Sequence, residues 1–161
     1  MKIINSNADN LNAIFDIYNQ ARDFMIKNNN QNQWKELDKV KEKVIIDIKN
    51  HNHYSIYQKD TLVGVFSFII GIDPTYNLIK GKWLNDLEYG TIHRIASGNN
   101  GHNILKETLN YCFKKINNIR IDTHPDNSKM LYLLNKYEFI KCGIIYLEDK
   151  SERIAYQTYL K

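Results

Sequence analysis

The chain has 161 residues, 43% hydrophobic and 25% charged, with a formal charge of +4 and a pI near 8.9. That length fits one domain, residues 1–161, around one core, and the composition excludes wholesale disorder. The mild positive charge favours an anionic ligand. It is spread along the chain without a basic block, which argues against nucleic acid as a partner.

Met1 to Asn5 reads as a short strand and lacks the apolar core of a signal peptide. From Asp9, the apolar residues Leu11, Ile14, Phe15, Tyr18, Ala21, Phe24 and Met25 recur at helical spacing, with Asn7 or Asp9 as the cap. A polar tract from Asn28 to Gln33, closed by Trp34, reads as a loop. A second helix fits Leu37, Val40, Val44, Ile45 and Ile48. His53–Gln58 and Thr61–Ile70 read as a hairpin turning at Lys59 and Asp60. The second of these strands leads into the longest apolar stretch, Val63 to Ile72. Gly64, Ser67 and Gly71 interrupt it, and it falls short of the roughly 18 apolar residues a membrane span needs.

Asp73-Pro74-Thr75 breaks the strand, and residues 76–88 read as irregular. Tyr89 to Ala96 is extended, Ser97 to Asn103 is a small-residue turn, and Ile104 to Phe113 is a helix. Ile119 to Thr123 is a strand, and Asn127 leads a helix carrying Met130, Leu131, Leu133, Leu134 and Tyr137. Phe139 to Leu147 and Arg153 to Tyr159 form a closing hairpin. Helices between the fourth, fifth and sixth strands require some parallel pairing in the middle of an otherwise antiparallel sheet. Cys112 and Cys142 make neither a metal pattern nor a disulfide framework and read as reduced core residues. The expectation is a cytoplasmic protein with no metal and no membrane partner.

The strand, the Gly/Asn turn and the helix start together make an anion site. Successive backbone N–H groups point one way, and the helix end adds partial positive charge. Ile95, Ala96, Ser97, Gly98, Asn99, Asn100, Gly101, His102, Asn103 and Ile104 are the candidate phosphate-binding residues.

This order resembles the GNAT superfamily of N-acetyltransferases over nearly the whole chain. The resemblance rests on the unit Ile92 to Phe113 and on a second unit, Ile119 to Phe139, with its Asn127-led helix ending in Tyr137-Glu138-Phe139. Blocks such as Trp83-Leu84-Asn85-Asp86, Ile121-Asp122-Thr123-His124 and Cys142-Gly143-Ile144-Ile145-Tyr146 look like an uncharacterised bacterial branch. The resemblance implies an α/β fold of the α+β kind: a mixed, mostly antiparallel sheet of about six or seven strands, helices on both faces, and a splayed parallel pair in the middle. It implies acetyl-CoA as acyl donor and a small-molecule or peptide amine as acceptor. It adds Asn127 to the CoA contacts, and a homodimer, common in the family, stays open. Four positions depart from the family pattern. Aligned on Gly101, Gly98 stands where the phosphate loop has Arg or Gln and Asn103 where it ends in Gly or Ala; Leu134 stands where many members have a proton-donating Tyr, and Glu138 where the helix ends in Gly.

Acetyl transfer requires deprotonation of the amine, polarisation of the thioester carbonyl and acceptance of the thiolate. His93 is the first candidate base, because its ordinary pKa lies near neutrality. The competing assignment is a histidine satisfied within a polar core network. Glu88 is the second candidate, against a solvated-loop role. Tyr137 is the nearest substitute for the missing Tyr. Trp34 and Trp83 are candidate acceptor-site walls, against plain packing. His124 either reaches the cleft or starts the turn after its strand. Asp122 is expected to pair with Arg94 or Arg120. A non-catalytic CoA-binding protein, a sensor or interaction module, is the alternative to an enzyme.

Overall fold

The computed structural model describes all 161 residues. Eight strands form one sheet: β1 (Lys2–Asn5), β2 (His53–Gln58), β3 (Thr61–Ile70), β4 (Lys80–Gly81), β5 (Gly90–Ser97), β6 (Asn118–Thr123), β7 (Ile140–Tyr146) and β8 (Glu152–Tyr159). Their order across the sheet is β1-β2-β3-β5-β6-β8-β7-β4. Every pairing is antiparallel except β5 with β6. The four helices are α1 (Leu11–Lys27), α2 (Leu37–Lys49), α3 (Ile104–Cys112) and α4 (Ser128–Lys136). No helix is long and apolar enough to cross a membrane.

The strand beyond the expected six or seven is β4, inside the segment read as irregular. Two residues carry no periodicity. The strand exists because Gly81 and Gly143, both at positive φ, let the two backbones approach where a Cβ on either would collide with the backbone of the neighbouring strand.

Alternation along the strands divides the core. Tyr54, Ile56, Phe66, Phe68, Ile92, Ile119 and Ile121 face α3 and α4 and meet Leu105, Leu109, Leu134 and Phe139. On the opposite face, α1 and α2 lay Ile14, Ile17, Tyr18, Val44 and Ile48 over Val65 and Ala96. The rest of that face is covered by the 71–88 segment, whose Tyr76 packs with Tyr89, Ile145 and Ala155.

Two irregularities shape the middle of the sheet. β5 pairs with β6 only from Gly90 to Ile92, against Ile119 to Ile121, although β5 runs on to Ser97. Past Ile92 the two strands part. On its other edge β5 stays with β3, but Val65 faces Ala96 and Ser67 faces His93, so Arg94 and Ile95 together oppose Phe66. That is a β-bulge, with Arg94 at φ 49. Both neighbouring helices hold it. The Tyr18 hydroxyl of α1 donates to the Arg94 carbonyl at 2.7 Å. Asp47 of α2 takes the Arg94 guanidinium at 2.8 Å from Nε and 2.6 Å from Nη2, and the Ser67 hydroxyl at 2.6 Å.

Because Tyr18 donates to Arg94, it must accept from His53 Nε2–H at 3.0 Å. His53 Nδ1 then accepts from Ser6 Oγ at 2.6 Å. His53 is fully buried, and burial holds its pKa down, to about 4, so the ring is neutral at pH 7.

Candidate active site

The parting of β5 from β6 opens one side of the sheet onto a groove of about 510 Å³. Its floor is β5 and the following turn, with Ile95, Ala96, Ser97, Gly98, Asn99 and Gly101. Its walls are α1 (Gln20, Ala21, Phe24, Met25), the start of α3 (Ile104, Leu105, Lys106) and α4 (Lys129, Met130, Leu133, Lys136, Tyr137). His102, Asn103 and Asn127 complete it, so of the ten turn and strand residues singled out in the sequence only Asn100, which is exposed, stands outside.

The turn uses some of its own donors. Gly98 N–H goes to the Val63 carbonyl at 3.0 Å, Gly101 N–H to the Gly98 carbonyl at 2.9 Å, and Asn99 N–H to Gln20 Oε1 at 2.8 Å. The next stretch does not. The amides of His102, Asn103, Ile104, Leu105 and Lys106 donate to no group of the protein, and Asn103, at φ 56, gives α3 no side-chain cap. Five unpartnered N–H groups at the head of a nine-residue helix, with Lys106, Lys129 and Lys136 around them, fit a pyrophosphate. The donor set therefore lies further along the chain than a count from Ala96 suggests. The side chain of Gln20, on α1, fixes the turn from outside, a contact between elements some eighty residues apart that leaves no local signal.

Asn127 caps α4, accepting from Met130 N–H at 3.1 Å, and its amide donates to Gln33 Oε1 at 2.8 Å. The α1–α2 connection is thereby tied to the head of α4. Trp34, in that connection, packs edge-on against Tyr18 with centroids 5.5 Å apart. Tyr137 is half-buried at the C-terminal end of α4, on the groove. Leu134 is sealed in the core, so that helix position faces away from any ligand. Glu138 occupies the left-handed position at φ 59 that glycine usually fills, and Phe139 N–H still closes onto the Leu134 carbonyl at 2.9 Å.

On the face covered by the 71–88 segment, His93 Nε2 meets Asp73 Oδ2 at 2.7 Å. The other oxygen, Asp73 Oδ1, accepts from Thr75 N–H at 2.9 Å and Thr75 Oγ1 at 2.7 Å. Burial raises the Asp73 pKa, but the hydrogen bond and charge of His93 and the Thr75 donors outweigh it and hold it down, to about 2. An ionised carboxylate only accepts, so Nε2 carries a proton, and the neutral tautomer compatible with this contact has its lone pair on Nδ1. Sequence reading misses Asp73 because it lies twenty residues from His93 in a segment that reads only as a strand breaker.

Other candidates have different surroundings. Glu88 is exposed, and its backbone carbonyl accepts from Asn118 Nδ2 at 3.2 Å. Trp83 donates from Nε1 to the Tyr76 carbonyl at 3.0 Å and lies over the Arg120 guanidinium at 4.1 Å, which packs it between its own 71–88 segment and the sheet, outside the groove lining. His124 Nδ1 accepts from Asp126 N–H at 3.0 Å at the turn after β6. Asp122 pairs with neither arginine. It accepts from the buried Tyr76 hydroxyl at 2.6 Å, while Arg94 goes to Asp47 and Arg120 is sandwiched between Trp83 and Tyr89. The chain has no cluster of His, Cys, Asp and Glu able to hold a metal ion.

A mostly antiparallel sheet, parted at one parallel pair over a groove, with a bulged strand leading through a turn into a helix, is the fold of the GNAT acetyltransferases. Solved structures with this fold match nearly the whole chain. A GNAT-family acetyltransferase from Streptococcus agalactiae is 28% identical, with 99% of this chain and 95% of that one covered and a TM-score of 0.87. A GNAT-family acetyltransferase from Listeria monocytogenes is 16% identical, covering 99% and 94%, at 0.67. The NatC complex bound to Gag peptide and CoA contains a chain 17% identical, covering 100% of both, at 0.54. No protein-family model matches the sequence, and no curated protein matches it.

Proposed function

We propose that the protein transfers an acetyl group from acetyl-CoA to the primary amine of a small-molecule or peptide acceptor, by direct attack with both substrates bound. The observation that carries this reading is the coincidence, in one groove, of the parted β5–β6 edge with the five unpartnered amides at the head of α3. The residues present fit CoA: main-chain donors and three lysines for its phosphates, and Ala21, Met25, Ile95, Met130 and Leu133 for an apolar arm. Bound there, the thioester supplies an electrophilic carbonyl and a thiolate leaving group.

His93 Nδ1 takes a proton from the acceptor's ammonium, and Asp73 holds the ring in the tautomer that permits it. The amine lone pair forms the new C–N bond as the C–S bond breaks. Backbone N–H groups of β5 past Ile92, on the edge that has lost β6, polarise the carbonyl. The Tyr137 hydroxyl, on the groove, returns a proton to sulfur. Ammonium and thioester become amide, free thiol and one released proton.

Calorimetric titration with acetyl-CoA, followed by thiol release with a panel of amines, tests the proposal. Micromolar-range binding with turnover of at least one amine is expected. Absence of heat and of any melting shift removes the reading. Clear binding without turnover of any amine establishes the alternative of a CoA sensor, for which the burial of the Leu134 position in the core is the supporting observation.

A further inference from the structure

Arg153, on β8, has a feature that neither the fold nor the donor groove explains. It is 8% exposed, yet it takes part in none of the four ion pairs of the chain. Nη1 donates to Ser151 Oγ at 3.2 Å and to the Glu152 carbonyl at 2.8 Å. Nε and Nη2 have no partner in the protein, and neither is among the polar atoms sealed from solvent. Burial makes the charged form less favourable and lowers the Arg153 pKa, with Asp122 and Asp149 opposing from a distance. Asp122 is engaged by Tyr76, and Asp149 by the amide and hydroxyl of Ser151. A guanidinium taken this far out of water without a paired anion is costly, and an incoming carboxylate matches its two remaining nitrogens, Nε and Nη2, in a bidentate fork.

Its position relates it to the proposed chemistry. Arg153 shares a sheet face with Ala155, two residues on, and Ala155 packs with Tyr76. The Tyr76 ring lies 6.1 Å from that of His93, and its hydroxyl lies on Asp122 of β6. β5, β6 and β8 are successive neighbours and Asp122 pairs with Ala155, so Arg153 stands on the same face as His93, two strands away and two residues further toward the end where β5 and β6 part.

Resting on the acetyltransferase reading above, we propose that the acceptor is an amino acid or a similar small amine bearing a carboxylate, and that Arg153 binds that carboxylate and determines specificity. The test compares the proteinogenic amino acids with their carboxamides as acceptors, at saturating acetyl-CoA, for the native protein and for Arg153→Gln and Arg153→Lys. At least one amino acid is expected to exceed its carboxamide by roughly 10- to 100-fold in kcat/KM. Arg153→Gln is expected to erase that preference through KM, and Arg153→Lys to restore part of it. Equal use of acids and amides by the native protein overturns the proposal, as does Arg153→Gln leaving the preference intact. If no amine turns over, binding of the same pairs to the CoA-loaded protein decides: acids favoured only when Arg153 is present supports it, and no acid-dependent binding sinks it. Acetyl-CoA titration of each variant reads the donor site separately, so loss of acceptor discrimination with donor binding intact is the signature of Arg153 acting on the acceptor alone.

Discussion

The head of α3 and the polar face beneath Tyr76 both leave hydrogen-bond donors without a partner in the protein, and they do so with different material. At α3 the donors are main-chain N–H groups, fixed by the turn and indifferent to most side-chain changes. Beneath Tyr76 every polar element is a side chain on a different strand or loop: His93 on β5, Asp73 after β3, Asp122 on β6, Arg153 on β8. On the proposed reading the first arrangement needs no side chain at Gly98, because main-chain amides hold the ligand. The second depends on each residue's identity.

Substitutions on the two sides should therefore fail differently. The largest effect is expected from His93→Gln, a fall in kcat of about 10²- to 10⁴-fold with acetyl-CoA affinity unchanged, read by steady-state rates beside calorimetry. Equal loss of donor affinity would erase the distinction between the two sides. On the donor side, a Cβ at Gly101 collides with Ser97 Oγ and the Val63 carbonyl, so the turn has to shift. Gly101→Ala should weaken acetyl-CoA binding by about 10-fold or more while residual kcat at saturation changes little.

A smaller effect tests the network beneath the bulge. The His53 pKa is about 4 when folded, against 6.5 for an unperturbed histidine, so between those values the unfolded chain holds more protons. Stability then falls as pH drops from 6.5 to 4, by about 3 kcal/mol from this group, and urea midpoints across that window measure it. The smallest effect is expected at Glu138. Replacing this left-handed residue by Gly should stabilise the fold by about 1 kcal/mol, seen as a raised melting temperature without change in donor affinity.

The fold is readable where periodicity and turns are local. The strand-turn-helix at Gly90 to Cys112 and the Asn127 cap follow from neighbouring residues, and both lie where the pattern puts them. β4 is not readable, because two residues carry no pattern and the pairing partner is some sixty residues away. The same limit separates the two halves of the candidate site. The turn can be named residue by residue, but its unbroken run of free donors begins only at His102, because Val63 and Gln20 take earlier ones from distant elements. Asp73, Gln33 and Arg153 carry no local mark. Each becomes informative only when the sheet sets it beside a partner, or denies it one. Asp122 shows the converse: charge alone points to a pairing with Arg94 or Arg120, and a tyrosine from the 71–88 segment takes their place.

The left-handed kink at Arg94 has two anchors, a phenol from one helix and a carboxylate from the next, and the connection 28–36 runs between those helices. Anyone transplanting that connection from a relative to redirect the protein to a new acceptor would alter the spacing between the anchors, and with it the tilt of the strand tip several ångströms away. A transplant that respects Tyr18 and Asp47 as fixed survey points should retain the aim of the tip. One that ignores them should yield a folded molecule whose two ends no longer converge.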